Sequence, residues 1–354
     1  MDQDEFNATF KLPFKEASEF FKGKLSIAAA TYDDIWKDQH ARAFMSAGAT
    51  KAELVADLRG AVQKSIDGGM NLKEFRGQFD DIVKRHGWSY NGGRNWRSEL
   101  IWDTNITTAY QAGRWNQFET SGTEYLRYLH ADGVQNPRPL HVSWDGITLP
   151  IDDPWIQTHF PPNGWKCHCR MCRAERAEHA RAKASGRGDA PKDGSYQWVN
   201  KRTGEVHQVP NGIDPGWDYN VGQASGRSYR VLADKFETLP RDISRSWMKE
   251  HVAGPAFSRF FEGKIVGQFP VAVLEEQRQA TLQLEGQTVW MDQEVLSAQA
   301  KLQLADYQMI PTILDAGKPV GRKGRVFQYE EGGAVYQATL DGNKITRLVR
   351  KGKA

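Results

Sequence analysis

The residues best suited to chemistry are cysteines and histidines in the middle of the chain. All three cysteines, Cys167, Cys169 and Cys172, lie in one short segment, and His141 and His159 precede them. Thiolate sulfur and imidazole nitrogen are the ligands that zinc prefers, and a zinc ion takes four ligands in a tetrahedron. These five side chains therefore form a candidate metal site, with zinc as the candidate cofactor.

The spacing of the cysteines leaves two other interpretations open. Cys167 and Cys169 are separated by one residue, whereas the cysteine pairs of common zinc fingers are separated by two to four, a spacing that only Cys169 and Cys172 have. The pattern also fits a metal-free knuckle with buried thiols, or a reactive thiol whose pKa is lowered. Because the three cysteines are so close in sequence, they cannot link distant segments, and a disulfide framework is excluded.

The composition is that of a folded protein of more than one domain. The chain has 354 residues, 39% of them hydrophobic, and 12 tryptophans, which is too apolar and aromatic for a disordered protein. Its 47 Lys and Arg side chains against 44 Asp and Glu leave a net charge of +3, so nucleic-acid binding requires local basic patches. The N-terminus has neither a basic leader nor an apolar run that could span a bilayer. We therefore expect a chain made in the cytoplasm, with no membrane partner.

Apolar residues at helical spacing predict the elements around the cluster. The first 90 residues read as successive helices, and Thr50 with Glu53 and Asn71 with Glu74 have the spacing of capping boxes. The longest predicted helix covers residues 96–120 and would be about 37 Å long. We expect it to be the spine of the central domain.

Composition shifts divide the chain into four parts. We predict an N-terminal helical region (1–90), a mainly helical central domain with the Cys/His knuckle (91–185), a linker (186–216) and a C-terminal α+β domain (217–354). The last part should end in an antiparallel β-meander, because three short strand patterns are separated there by Gly-Gly and Asp-Gly turns. The predicted fold class is thus a multidomain α+β protein.

The ordered motifs of the central region resemble the phage Mu protein F-like minor head, or head morphogenesis, family. The resemblance extends over about half of the chain, from residue 1 to roughly residue 180. It is carried by Arg138–Gly146, Asp152–Trp155, Thr158–Trp165 and Cys167–Arg170, by Arg97–Ile101 and Ala109–Arg114 in the helix before them, and by Ala41–Phe44 and Phe75–Trp88. Relatives more often have Cys-Arg-Cys where this chain has Cys-His-Cys, which leaves the role of His168 open.

This resemblance implies a minor head protein of a tailed phage. Such a protein would act in head morphogenesis and in DNA packaging or delivery. Its expected partners are the portal and capsid proteins, and its expected location is the head interior of the virion. Arg170 and Arg173 directly follow the knuckle and are candidate contacts to packaged DNA.

The C-terminal domain resembles nuclease-like domains of the barnase, colicin and RelE type. This implies an alternative function, in which the domain is a nuclease toxin or effector that cleaves RNA or DNA and is carried in the virion. Residues 317–354 contain nine Lys or Arg side chains and three Asp or Glu side chains, which suits a polyanion.

Whether that domain is an enzyme stays open at this level. The last histidine is His251, so the meander offers no imidazole for acid–base chemistry. The remaining candidate catalytic residues are Lys301, Arg322, Tyr336, Lys344, Thr346 and Arg347. Arg325 and Arg350 are candidate nucleic-acid contacts, and the substrate could be packaged DNA or host RNA.

Overall fold

The computed structural model describes residues 14–134, 136–225, 228–265, 267–297, 302–320 and 325–352. The chain divides into two compact units. The first comprises Met1–Gln117 and Glu124–Arg227, and the second comprises Phe118–Thr123 and Ser228–Ala354.

The first unit is built mainly of helices. In chain order they are α1 (Lys15–Lys22), α2 (Gln39–Arg42), α3 (Ala52–Gly68), α4 (Leu72–His86), α5 (Arg94–Thr120, whose last residues belong to the second unit), α6 (Pro139–Ser143), α7 (Pro154–His159), α8 (Arg176–Ala184) and α9 (Val221–Ser225). The apolar faces of α1, α3, α4 and α5 form one core. Phe21, Phe75 and Phe79 are completely buried in it, which confirms the predicted helical periodicity.

Three small sheets accompany these helices. Their strands are β1 (Leu25–Ser26), β2 (Ala43–Phe44), β3 (Tyr125–Leu129), β4 (Thr148–Pro150), β5 (Arg170–Ala174), β6 (Ser195–Val199) and β7 (Val206–Pro210). Strands β1 and β2 pair in parallel, β4-β3-β5 form an antiparallel sheet, and β6 and β7 form an antiparallel pair. The segment 186–216, predicted to be a linker, thus contains the β6–β7 pair and lies in the first unit.

The two predicted capping boxes have different outcomes. Asn71 caps α4, since its side chain accepts hydrogen bonds from the backbone of Lys73 and Glu74, and Glu74 returns the bond. Helix α3 instead begins after Lys51, which is its N-cap residue, and no side chain caps it. Thr50 lies one position too early to serve as the cap.

The second unit combines helices with one large sheet. The helices are α10 (Ser228–Thr238), α11 (Arg241–Ala253), α12 (Pro255–Phe261), α13 (Glu276–Leu282), α14 (Gln293–Ser297), α15 (Leu304–Gln308) and α16 (Ile310–Ala316). The strands are β8 (Gln268–Val273), β9 (Thr288–Asp292), β10 (Lys318–Val320), β11 (Val326–Glu331), β12 (Ala334–Asp341) and β13 (Lys344–Lys351).

The strand order of this sheet is β10-β11-β12-β13-β9-β8. Neighbouring strands are antiparallel except β13 and β9, which pair in parallel. Helices α11 and α16 pack on β8, and the buried core includes Phe257, Phe269 and Leu348. The predicted C-terminal meander and the α+β fold class are confirmed.

None of the described helices is both long and apolar enough to cross a membrane.

Candidate functional site: the Cys/His cluster

The Cys/His cluster lies in the first unit, beside the three-stranded sheet and α5. Cys167 and Cys169 precede β5, which pairs with β3. The side chain of Gln111 on α5 donates a hydrogen bond to the Cys169 carbonyl oxygen at 3.0 Å. The long helix predicted from the sequence therefore holds the backbone of the cysteine segment directly.

Three side chains of the predicted metal set meet here. The ligand atoms of His141, Cys167 and Cys169 all lie within 4.8 Å of one another, and all three residues are buried. The Sγ atoms of Cys167 and Cys169 lie 3.7 and 3.6 Å from His141 Nδ1. Zinc–sulfur and zinc–nitrogen bond lengths place S and N about 3.6 Å apart on a tetrahedral ion. The cluster therefore has the ligand types and the spacing to hold a metal ion.

The hydrogen bonds of His141 fix which ring nitrogen faces the thiols. Its Nε2 lies 2.8 Å from the carbonyl oxygen of Gly212, which can only accept a hydrogen bond. Nε2 therefore carries the hydrogen in a neutral ring, and the lone pair of Nδ1 is directed at Cys167 and Cys169. Metal-binding histidines usually have such a partner on the second nitrogen.

The surroundings also favour one thiolate in the pair. A hydrogen bond from the Cys167 thiol lowers the pKa of Cys169, while the same hydrogen bond together with burial raises the pKa of Cys167. Tyr128 is fully buried beside the pair, and its hydroxyl donates to Asn163 Oδ1 at 3.0 Å. A thiolate is the form of cysteine that binds metals.

The other two predicted ligands lie outside the cluster. His159 stacks on Trp155, with ring centroids 4.3 Å apart, and its Nδ1 lies 3.0 Å from the Trp155 carbonyl oxygen. Burial lowers its pKa to about 4. Cys172 lies on β5 opposite Arg127 and is a half-buried free thiol.

The side chain of His168, between the two clustered cysteines, is 43% exposed, and its Nε2 lies 3.7 Å from Asp103 Oδ1. Its side chain is therefore directed away from the Cys/His cluster, toward α5.

Comparison with known proteins shows that the cluster lies in a region similar to a recognised family. Residues 56–172 match the family model "Phage Mu protein F like protein". This region of the chain is similar to the Mu F-like family. His141, Cys167 and Cys169 all fall inside the matched residues. No solved structure matches the chain.

Two curated relatives extend the match. The chain is 32% identical over 238 residues to the "Mu-like prophage FluMu F protein" of Haemophilus influenzae. This alignment covers 59% of this chain and 57% of the relative. The chain is also 29% identical over 260 residues to the "Putative capsid assembly protein F" of Escherichia phage Mu. This second alignment covers 64% of this chain and 58% of the relative. The chain thus covers less than two thirds of the length of either Mu F-like relative.

The catalytic candidates of the second unit lie outside the Mu F-like match and are spread over its sheet. Tyr336 is on the buried face of β12, and its hydroxyl lies 3.4 Å from Asp306 Oδ1. Lys344 pairs with Asp292 at 3.1 Å.

The other catalytic candidates are placed as follows. Thr346 lies at the bulge between β12 and β13, where its hydroxyl donates to the Thr339 carbonyl oxygen. Arg347 lies opposite Thr339, on the other face of the sheet from Tyr336. Lys301 and Arg322 lie outside the described residues.

Three of the four candidate nucleic-acid contacts have acidic partners. Arg173 pairs with Glu175 at 3.1 Å and Arg325 with Asp341 at 3.0 Å. Arg350 lies 3.5 Å from the buried carboxylate of Asp306 and over the Tyr336 ring. Arg170 is exposed on β5. Each ion pair reduces the charge that its arginine offers to a phosphate.

Sequence reasoning missed the residues that orient the cluster. These residues are Gly212, which accepts a hydrogen bond from His141, and the hydrogen-bonded pair Tyr128 and Asn163. None of them has a side chain that commonly binds metals, and Gly212 and Tyr128 lie far from the cysteines in sequence. The glycine contributes only a backbone carbonyl, which leaves no trace in a residue pattern.

Proposed function

We propose that this chain acts in the assembly of a phage capsid. The observation that carries the proposal is its 29% identity over 260 residues to the "Putative capsid assembly protein F" of phage Mu. The family match over residues 56–172 supports the same conclusion. The fold suits such a role, because a closely packed unit with a rigid aromatic knuckle can dock on other proteins.

The proposal extends to location and partners. The chain would be a minor head protein, bound to the portal and to the inner surface of the capsid in the virion, and would assist DNA packaging or delivery. Exposed tryptophans support protein docking: Trp96 in the first unit is 48% exposed and Trp247 in the second is 54% exposed. Tryptophan is the residue most enriched at the energetic centres of protein interfaces.

Co-sedimentation with procapsids tests the assembly role. The full chain would be co-expressed with the portal, scaffold and capsid proteins of the same phage, and particles would be separated on a gradient. We expect the chain to sediment with procapsids and to be lost from particles made without portal. If the chain stays on particles made without portal, portal attachment is contradicted but the assembly role is not. If the chain is absent from all particles, the assembly role is contradicted.

We also propose that His141, Cys167 and Cys169 bind a zinc ion. Two thiolates and an imidazole form a ligand set that suits zinc, and the two sulfur–nitrogen distances match a tetrahedral ion. Bound zinc would stabilise the folded first unit, because its ligands come from α6 and from the segment before β5 and would separate on unfolding.

The two cysteines of the 169–172 pair give a matched test of zinc binding. Cys169→Ser removes a proposed ligand, whereas Cys172→Ser changes the same residue type outside the cluster. We expect about one zinc per chain in the wild type and in Cys172→Ser by elemental analysis, and a loss in Cys169→Ser. Equal metal content in both variants, or none in the wild-type chain purified without chelators, would contradict the proposal.

Nuclease activity of the second unit stays a prediction. Lys344 and Arg347 lie on the exposed face of the sheet and Tyr336 on the buried face, so these described candidates do not converge on one point. Cleavage of labelled RNA or DNA by the full chain, lost in a Lys344→Ala, Arg347→Ala double variant, would establish it. Absence of cleavage would leave assembly as the function of the chain.

A further inference from the structure

A large aromatic cavity lies in the first unit, apart from the Cys/His cluster. Its volume is about 580 Å³, within the range of sites that enclose ligands. The lining includes four tryptophans, Trp36, Trp96, Trp165 and Trp217, from separate parts of the sequence. Neither the Mu F-like match nor the proposed metal site assigns this cavity a role.

The charged side chains that line the cavity are basic. Its lining contains three Lys or Arg side chains and no Asp or Glu. Lys166 is exposed and paired with Glu99, but Lys24 and Arg97 are only 5% and 7% exposed. Lys24 donates to the His40 carbonyl oxygen and Arg97 to that of Asn91.

Among the described residues, no carboxylate pairs with Lys24 or Arg97. Buried cations are normally paired, so the geometry calls for an anionic group supplied from outside.

Other lining groups also lack partners. Ser46 is buried, and neither its hydroxyl nor that of Thr104 has a hydrogen-bond partner in the described part of the chain. Both residues line the cavity, as do the large exposed side chains of Tyr32 and Trp96, which are 37% and 48% exposed. A ligand that offers apolar groups, hydrogen-bonding groups and negative charge would complement all of these features.

We propose that this cavity binds an acidic, aromatic peptide segment of a partner protein. Its apolar or aromatic side chains would pack among the tryptophans, and an Asp or Glu carboxylate would pair with Lys24 and Arg97. Its backbone amide and carbonyl groups would meet the unpartnered hydroxyls of Ser46 and Thr104. This peptide-binding role goes beyond capsid assembly and does not depend on it.

The arrangement of the cations favours a peptide over a nucleic acid. A single strand carries a charge on every nucleotide and is held by cations along an exposed groove. Here the two cations without a carboxylate partner are both less than a tenth exposed, and most of the remaining lining is apolar or aromatic. Such a site accommodates one or two carboxylates on an apolar segment better than a row of phosphates.

Selection from a displayed library of random twelve-residue peptides tests the proposal with the full chain. Enriched peptides would be synthesised with a fluorescent label, and their affinity measured by anisotropy. Versions with Asp→Asn and Glu→Gln changes would isolate the contribution of charge. We expect enriched peptides that combine acidic and aromatic residues, and at least tenfold weaker binding of the neutral versions.

Three variants locate the binding site. Lys24→Met removes a buried cation, and Trp96→Ser removes an exposed lining ring. Trp247→Ser is the matched control, because it removes an equally exposed tryptophan from the second unit. We expect at least tenfold loss for the first two and no change for the control. If Lys24→Met does not fold, as judged by circular dichroism, Trp96→Ser alone decides.

Several results would overturn the proposal. These are an absence of enriched peptides, enriched peptides without acidic residues, affinity that Trp96→Ser leaves unchanged, and equal loss with Trp247→Ser. An oligothymidine that binds to the wild type but not to Trp96→Ser, while no peptide is enriched, would identify the cavity as a nucleic-acid site instead.

Discussion

His141 donates its Nε2 hydrogen to the carbonyl oxygen of Gly212 at 2.8 Å, although 71 positions separate the two residues. This bond joins a proposed metal ligand to the chain that follows the β6–β7 pair. The segment after β7 therefore helps to orient the lone pair that faces the two clustered thiols. The orientation of the cluster depends on residues beyond the region that matches the family model.

Replacement of Gly212 should disturb this arrangement. Gly212 has φ +87°, and an added Cβ would lie 2.6 Å from the Trp144 ring. We expect Gly212→Ala to lower the free energy of unfolding by about 3 kcal/mol, from backbone strain and overpacking together. Urea denaturation followed by tryptophan fluorescence measures this, since ten of the 12 tryptophans lie in the first unit.

Gly204 provides the control for that experiment. It has φ +76°, but nothing lies within 4 Å of an added Cβ. Gly204→Ala should therefore cost only the backbone strain, about 1 to 2 kcal/mol. Equal losses at the two glycines would show that contact with Trp144 is unimportant.

Lys24→Met should stabilise the first unit near neutral pH. Burial lowers the pKa of Lys24 to about 7 from an ordinary value of 10.5. Between these values the unfolded chain binds more protons than the folded one, so wild-type stability rises with pH by about 1.4 kcal/mol per unit from this residue. Methionine removes that dependence. The stability advantage of Lys24→Met should be largest below pH 7 and should shrink toward pH 10.

Urea titrations at several pH values measure this difference. Tyrosine and cysteine ionisation contributes equally to both proteins and cancels in the comparison. A gap between wild type and variant that stays constant from pH 7 to pH 10 would show that Lys24 is not desolvated in the folded state.

His251→Phe should reduce the acid sensitivity of the second unit. The imidazole stacks on Phe269 with centroids 4.8 Å apart, and burial lowers its pKa to about 4. The unfolded chain takes up this proton below about pH 6.5, so stability falls as the pH decreases from 6.5 to 4. Phenylalanine keeps the stacking and removes the proton.

Calorimetry across this range should show a shallower loss of stability for His251→Phe, by about 1.4 kcal/mol per pH unit. Parallel pH profiles for the wild type and the variant would contradict a buried neutral histidine.

Asn71→Ala should weaken the start of α4. The Asn71 side chain accepts hydrogen bonds from the backbone N–H groups of Lys73 and Glu74 at 2.9 and 3.1 Å. Loss of this cap should cost about 1 kcal/mol in urea denaturation. Lys73→Ala, in the same turn but with no role in the cap through its side chain, should change stability by less than half of that. A similar loss in both variants would indicate a general effect of the turn.

Much of the fold could be predicted because its signals are local. Apolar spacing indicated α3, α4 and the long α5, and the Asp-Gly turn indicated the hairpin between β12 and β13. The capping box at Asn71 is confirmed, whereas the one at Thr50 is wrong because α3 begins one residue later than that pattern requires. Helix boundaries shift by a residue at little cost, so they are poorly determined by short motifs.

The site could be predicted only in part. Residue types identified His141, Cys167 and Cys169, but the same types also suggested His159 and Cys172, which lie elsewhere. Separating these groups requires tertiary contacts, since stacking on Trp155 holds His159 and strand pairing places Cys172. The aromatic cavity was not predicted, because its four tryptophans converge from distant segments.

The order of the strands in the second unit has a consequence for synthesis on the ribosome. Strand β13 is the last of the described strands to be translated, yet it lies between β12 and β9. The β8–β9 pair and the β10–β12 meander remain separate sheets with open edges until β13 emerges. The edges of both sheets must therefore stay unpaired in the nascent chain until then, and this unit completes its sheet only after β13 has been translated.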